Sequence, residues 1–108
     1  MSITFEAHGP AVVADVQGRL DSTNAAAVEA ELFKQLGSSA FVLDFTRLDY
    51  ISSAGLRVVL VVAKRLKQSG NKFILAGLQP HIKDVFEISG FLGILDVADS
   101  RADALTRL

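Results

Sequence analysis

The 108-residue sequence predicts an α/β protein in which a mixed sheet of four to five strands packs with about four helices. Short β-type segments alternate with longer segments of helical periodicity along most of the chain. Two of the β-type segments are almost wholly apolar, which is typical of central strands. Since 50% of the residues are hydrophobic, the chain can bury one core. We therefore expect a single domain over residues 1–108 and right-handed crossovers between parallel strands.

Two strands are predicted at the start of the chain. Residues 3–9, "ITFEAHG", alternate apolar and polar side chains, and residues 11–18, "AVVADVQG", are rich in apolar residues. Gly9 and Pro10 separate the two segments and are typical turn residues. The pattern predicts an antiparallel pair joined by a tight turn.

Residues 21–37 predict the first helix. Either Asp21 or Ser22 can cap it by accepting a backbone N–H bond. Gly37 is expected to end it in the left-handed conformation. Apolar residues at four-residue spacing would form its core face: Val28, Leu32 and Leu36.

The rest of the chain continues the alternation of strands and helices. A proline at residue 80 suits the first position of a helix, and glycines at 70 and 90 suit helix ends. The predicted elements are a buried strand at 40–45, a loop at 46–52, a helix at 53–69, a strand at 72–77, a helix from 80 to 88 or 89, a short edge strand at 93–98 and a last helix at 100–108.

Composition argues against several classes of function. A net charge of −1, with acids and bases spread along the chain, gives no general attraction to nucleic acid or to anionic membranes. The sequence has no cysteine and therefore no disulfide or thiolate metal site. Neither a signal peptide nor a membrane span is predicted. We expect a cytoplasmic monomer without cofactors.

The start of the second predicted helix has an unusual composition, with two serines and a glycine. Ser53 is the expected cap, and Gly55 in the first turn costs roughly 1 kcal/mol relative to alanine. That cost suggests close approach of another chain or of a phosphate group. One interpretation is a plain serine cap. The other is a phosphate site at the helix N-terminus, near which Asp44 and Asp49 would lie.

The second helix is predicted to have a core face and a polar face. A 100° step per residue places two valines, Val58 and Val61, at the border and in the middle of the polar arc, where they could form a protein-docking patch. Alternatively, the two valines have no binding role, or the C-terminal segment buries them. The core face would contain Leu56, Val59, Leu60, Ala63 and Leu66, and the polar face Arg57, Lys64, Arg65 and Gln68.

Three stretches in this order resemble the STAS-domain anti-sigma-factor antagonists. They are Gly18 to Asp21, "GRLD"; residues 48–60, "LDYISSAGLRVVL", between the strands "FVLDF" and "KFILAG"; and residues 75–91, "LAGLQPHIKDVFEISGF". The resemblance covers nearly the whole chain and implies the STAS fold. It also places a turn after the second strand at Gly18 to Asp21.

The resemblance implies a partner switch in which the chain is a binder and a substrate, without catalysis. The unphosphorylated antagonist would bind an anti-sigma factor that is also a serine kinase with an ATP-binding fold, which frees the sigma factor. Phosphorylation of one serine would end the complex, and a PP2C-type phosphatase would reset it. The same switch could control secretion, biofilm formation or motility.

The resemblance assigns the phosphoacceptor to Ser53, two residues before Gly55, with Ser52 as the alternative. Ser52 stands where relatives often have aspartate, and Ala54 replaces a second hydroxyl residue. Gly55 would then leave room for the kinase active site. The implied partner-binding residues are Asp21, Asp49, Ser52, Ser53, Ala54, Gly55, Leu56, Arg57, Val58 and Val61.

Two other functions have weaker support in the sequence. A catalytic serine needs a base, but His8 and His81 are expected on exposed loops or helices, and "SSAG" lacks the Gly-x-Ser-x-Gly elbow. Asp44 and Asp49 are expected to cap turns or position the loop. The alternative within the family is a STAS subunit of a lipid-transport ABC system that contacts its ATPase.

Overall fold

The computed structural model describes residues 1–37 and 39–108 and confirms the α/β class. These residues form six strands, more than the four to five predicted, and four α-helices. The elements are β1 (Ser2–His8), β2 (Ala11–Leu20), α1 (Ala25–Gln35), β3 (Phe41–Asp44), β4 (Leu48–Ile51), α2 (Ser53–Gln68), β5 (Phe73–Ala76), α3 (Pro80–Ile88), a 3₁₀ turn (Leu92–Ile94), β6 (Val97–Ala98) and α4 (Arg101–Thr106).

The sheet is mixed, with strand order β1-β2-β3-β5-β6 and β4 beside the far end of β2. β1 and β2 are antiparallel, and His8 pairs with Ala11 across the predicted turn, where Gly9 has a φ of 60°. The other neighbouring strands run parallel. The N-terminal hairpin is therefore confirmed.

The predicted loop at residues 46–52 is wrong in its middle part, because Leu48–Ile51 forms the parallel strand β4. β2 changes partner at Gly18, which has a φ of 92°, and the register shifts between Gly18 and Arg19. Residues 12–15 of β2 pair with β3, and residues 18–20 pair with β4. The expected turn at Gly18 to Asp21 is thus a kink, and the strand continues through Leu20.

Helices cover both faces of the sheet. Because successive side chains of a strand point to opposite faces, β3 sends Leu43 to one side and Val42 to the other. The Leu43 side packs against α1, α2 and α3, and the Val42 side packs against α4 through Ala104. The described residues include no helix long and apolar enough to cross a membrane.

Both ends of α1 differ from the prediction. The helix starts at Ala25, after Asn24, because Asp21 directs its carboxylate to Thr23 in the preceding turn. It ends at Gln35, and Gly37 is not left-handed, since the chain is already extended at the residue before it. The helix ends predicted at Gly70 and Gly90 are confirmed, and both glycines are left-handed, with φ of 75° and 79°.

Candidate functional site

The two serines before and within α2 have different environments. Ser52 is the N-cap, and its Oγ accepts a bond from the backbone N–H of Gly55 at 3.3 Å. Ser53 is the first helical residue, and its side chain is exposed. The predicted cap at Ser53 is therefore wrong by one residue. The serine with the free hydroxyl is the one that does not cap the helix.

Gly55 is required by contacts within the chain. A Cβ atom at this position would lie 2.8 Å from the carbonyl oxygen of Leu20 and 2.7 Å from Cγ1 of Ile51. Both distances are shorter than any normal carbon contact. The glycine thus lets the first turn of α2 pack against the ends of β2 and β4. The interpretation that Gly55 leaves room for a kinase or a phosphate is corrected, because the residue is buried beneath its own chain.

The N-terminus of α2 is tied to the loop that follows β2. The N–H of Ser52 donates to the carbonyl of Leu20 at 2.9 Å. On the other side of Leu20, the Asn24 side chain donates to the carbonyl of Arg19 at 2.8 Å and accepts from the N–H of Asp21 at 3.0 Å. These bonds fix the position of the 20–24 loop relative to the serines.

Asp21 anchors the start of that loop. Its carboxylate accepts bonds from the hydroxyl of Thr23 at 2.6 Å and from the N–H of Thr23 at 3.0 Å. The hydroxyl bond first, then the N–H bond, lower the pKa of Asp21 below its usual value, and the nearby Arg19 adds to the effect. Asp21 therefore carries a full negative charge near the start of α2.

β4, which pairs with the end of β2, exposes one charged and one aromatic side chain, and as successive strand residues these point to opposite faces. Asp49 and Tyr50 are exposed, and the guanidinium of Arg19 lies 4.2 Å from the centre of the Tyr50 ring. His81 of α3, exposed as expected, contacts the carbonyl of Asp49 at 2.6 Å. Asp49 lies in a strand and caps no turn, contrary to the prediction.

Arg19 and Tyr50 were absent from the sequence-based set of site residues. Both belong to stretches that had been singled out, "GRLD" and "LDYIS". Their proximity depends on the pairing of β2 with β4. Because residues 46–52 had been assigned to a loop, nothing in the prediction could bring the two side chains together.

The predicted valine patch on α2 is wrong. Val58 is only 3% exposed and packs toward α1, and Val61 is half-buried. The 100° projection assumed a single buried face, whereas α2 packs against both the sheet and α1. Leu60 and Ala63, expected in the core, are only half-buried for the same reason, and Val62 takes their place.

A shallow groove lies between α1 and α2, and Ala54, the residue after Ser53, forms part of its lining. Small side chains form much of its surface, while Arg57 and Glu29 provide its charges. Arg57 is exposed. The lining residues are Ala25, Ala26, Glu29, Ala54, Arg57 and Val58.

Asp44 lies on the α4 face of the sheet, away from the face that α2 covers. Its Oδ1 accepts from the N–H and hydroxyl of Thr46, at 2.9 and 2.6 Å, so its expected role in positioning the loop is confirmed. The prediction that Asp44 lies near Ser52 and Ser53 is wrong. Asp44 therefore adds no charge to the surface around Ser53.

Arg101 of α4 joins three acidic side chains of the sheet. Its Nε donates to Asp44 at 2.9 Å, and its two terminal nitrogens contact Glu6 at 2.6 Å and Asp15 at 3.3 Å. Burial lowers the pKa of Arg101, but Asp44, Glu6 and Asp15 outweigh this and raise it overall. The contact holds α4 to the sheet.

No cluster of three or more acidic or histidine side chains within residues 1–37 and 39–108 is arranged to hold a metal ion. The exposed groups around Ser53 are instead a hydroxyl, an ion pair, an aromatic ring and a small-residue groove. Such a surface suits contact with another protein more than chemistry on a small substrate.

Comparison with known proteins places this surface in a family context. The family model described as the STAS domain matches residues 2–104. BtrV of Bordetella bronchiseptica, named as a candidate anti-sigma factor antagonist, is 51% identical over 106 residues, which cover 96% of this chain and 91% of BtrV.

Solved structures show the same fold. The chain matches a candidate anti-sigma factor antagonist from Thermotoga maritima with a TM-score of 0.92 and 18% identity, covering 97% of this chain and 92% of the other. It matches the anti-sigma factor antagonist SpoIIAA in its unphosphorylated form with a TM-score of 0.80 and 23% identity, covering 98% and 95%.

Proposed function

The chain belongs to the STAS domain family, and we propose that it is an anti-sigma-factor antagonist in a partner-switching pathway. Unphosphorylated, it binds an anti-sigma factor that is also a serine kinase with an ATP-binding fold, and so releases that protein's other partner. It acts as binder and substrate, and it catalyses no reaction. The observation that carries the proposal is the 51% identity to a protein named for this role over nearly the full length of both chains.

The switch that we propose is a phosphate ester on Ser53. The kinase transfers the terminal phosphoryl group of ATP to the Ser53 oxygen, which loses its proton, and ADP leaves. A PP2C-type phosphatase hydrolyses the ester with water and restores the serine. The exposed hydroxyl of Ser53 favours it over Ser52, whose oxygen already accepts the cap bond from Gly55.

The proposed partner surface consists of exposed and half-buried groups around the start of α2. Asp21, Asp49, Ser53, Ala54 and Arg57 supply its polar and small side chains, with Ser52 as the supporting cap. Gly55, Leu56 and Val58 are buried, so they shape the surface and offer it little side chain, and Val61 lies at its edge. Arg19 and Tyr50 extend the surface over β4.

A phosphate at Ser53 would act on binding more than on folding. It would lie at the N-terminus of α2, where free N–H groups and the helix dipole favour negative charge. In a protein interface, however, the same two charges must be desolvated and face the partner's acidic groups. Phosphorylation should therefore weaken the complex while it leaves the helix intact.

The test is affinity capture from the native host with tagged wild-type chain, Ser53→Ala and Ser53→Asp, read by mass spectrometry. Wild type and Ser53→Ala should retain an ATP-binding serine kinase, and Ser53→Asp should lose it. Gln68→Glu is the matched control, because it adds one negative charge at the exposed far end of the same helix. It should retain the kinase.

Two results would contradict the proposal. If the wild-type chain captured no kinase, the proposed phosphorylation switch would be contradicted. Capture of a transporter ATPase by all four chains would point to the alternative, a STAS subunit of a lipid-transport ABC system.

A further inference from the structure

Arg57 lies one helical turn after Ser53 and is poised to bind a phosphate on it. Both residues are exposed on α2, at positions i and i+4, where side chains of a helix are neighbours with Cβ atoms about 6 Å apart. The anionic group would precede the cationic one along the helix, which is the favourable order for such a pair. A guanidinium can also form two parallel hydrogen bonds with a phosphate.

No competing acidic group holds Arg57 in the part of the chain that the structure describes. The arginines with acidic partners are Arg19, Arg47, Arg101 and Arg107. The acidic group that shares the α1–α2 groove with Arg57 is Glu29, and among the described residues the two form no ion pair. The guanidinium is thus available in the unphosphorylated protein.

The position of Arg57 also makes it a contact for a protein partner. It lines the small-residue groove between α1 and α2 together with Ala54, the residue next to Ser53. A partner that covers Ser53 would also cover this groove. The chemical group that fits the exposed guanidinium is a carboxylate of the partner.

From these observations we propose that Arg57 is the internal receptor for the Ser53 phosphate. The unphosphorylated chain offers the Arg57 guanidinium to an acidic side chain of the partner. After phosphorylation the same guanidinium binds the phosphate and is withdrawn from the partner surface. Capture of this cation then adds to the repulsion by the phosphate. The contact between the Arg57 guanidinium and the Ser53 phosphate, called the bridge below, is a property of the isolated chain. Only its effect on partner binding rests on the proposed function.

The bridge can be tested without any partner. The chain is prepared with phosphoserine encoded at position 53, and the phosphate is titrated by ³¹P NMR at low salt. With Arg57 present, the phosphate dianion should bind a proton, to give the monoanion, about two- to fivefold more weakly than in Arg57→Gln. Lys64→Gln is the matched control. It removes one exposed positive charge from α2 at about 16 Å from Ser53 along the helix and should match wild type.

A further variant distinguishes hydrogen bonding by the guanidinium from the effect of its positive charge alone. Arg57→Lys keeps the positive charge but loses the two-bond fork, so its titration should fall between wild type and Arg57→Gln. Equal titration of the wild type and Arg57→Gln would overturn the bridge, whatever Ser53→Asp does to partner capture.

The second half of the proposal concerns the unphosphorylated chain and the purified kinase captured by it. Arg57→Gln should weaken that complex about tenfold, and Lys64→Gln should leave its affinity within twofold. An unchanged affinity of Arg57→Gln would show that the guanidinium is not a partner contact and would overturn the withdrawal step. Loss of the whole complex in Ser53→Ala would instead count against the proposed function.

Discussion

At the residue scale, neighbouring serines have different roles because one hydroxyl is used by the backbone. Ser52 accepts the Gly55 N–H, and Ser53 points to solvent. Ser52→Ala should lower the free energy of unfolding by about 1 kcal/mol through the lost cap, whereas Ser53→Ala should change it by less than about 0.5 kcal/mol. Urea unfolding measures both. Equal losses in the two variants would contradict the assignment of the cap.

Gly55 has an equally local role, set by its neighbours in β2 and β4. Alanine gains roughly 1 kcal/mol in helix propensity, but its Cβ would overlap the Leu20 carbonyl and the Ile51 side chain. We expect Gly55→Ala to lower the unfolding free energy by about 1–3 kcal/mol. Gly93→Ala is the control, because a Cβ there meets no atom within 4 Å. A Gly55→Ala chain as stable as wild type would show that the helix can shift without cost.

Asp21 gives a residue-scale prediction about pH. Its pKa is lowered mainly by the hydroxyl of Thr23. Thr23→Val removes that bond and keeps the N–H, so the carboxyl should titrate at a higher pH in the variant, as followed by NMR. The stabilisation from a lowered pKa is present above the ordinary value of 3.8 and is lost as the pH falls through the lowered one. An unchanged titration would exclude the Thr23 hydroxyl as the main cause.

At the element scale, α4 depends on one arginine. Arg101 pairs with Asp15 and Asp44, which are buried beneath it. Arg101→Met would leave Asp44 with the Thr46 bonds alone and Asp15 with Arg47 at 3.5 Å. After allowance for the partial exposure of Arg101, we expect the free energy of unfolding to fall by about 2–3 kcal/mol, as measured by thermal or urea unfolding. The raised pKa of Arg101 means that its contribution is present below its ordinary pKa and fades only at extreme alkaline pH.

Arg107→Met is the control for that variant. Arg107 follows α4 and pairs with Asp96, but both side chains are 42% exposed, so the loss should stay below about 1 kcal/mol. If the two arginine variants lost the same stability, burial of the carboxylates would not be the cause of the Arg101 effect.

The elements also show what the sequence could and could not predict. The hairpin at Gly9, the buried strands and the proline-led α3 follow from local patterns, and they were predicted. β4 was missed because its two middle residues, Asp49 and Tyr50, are exposed, and only pairing with the kinked end of β2 makes it a strand. The burial of Val58 depends on the packing of α1 against α2, which no single-helix pattern contains.

In the candidate site, too, some features could be predicted from local sequence and others depend on tertiary contacts. Ser53 could be selected from the sequence because a serine two residues before a glycine resembles the family pattern. Which serine caps the helix, why position 55 is glycine and which side chains neighbour Tyr50 depend on contacts between distant segments. Those contacts are properties of the folded chain.

At the scale of the whole molecule, we expect a switch without refolding. A phosphate on Ser53 adds charge at an exposed helix start and touches no core residue. Amide hydrogen exchange of the two forms should therefore differ only in the first turns of α2 and in the adjoining 20–24 loop. Loss of protection in the central strands β3 and β5 would contradict a local switch and indicate a change of the whole fold.

The central claim is that the charge state of Ser53 controls partner binding. The most direct measurement is the affinity of the purified partner kinase for the wild-type chain before and after full phosphorylation, with the modified residue mapped by mass spectrometry. The account predicts a single phosphate on Ser53 and an affinity at least about 100-fold lower, which corresponds to roughly 2.7 kcal/mol. A phosphate on Ser52, or an unchanged affinity with Ser53 fully modified, would contradict it.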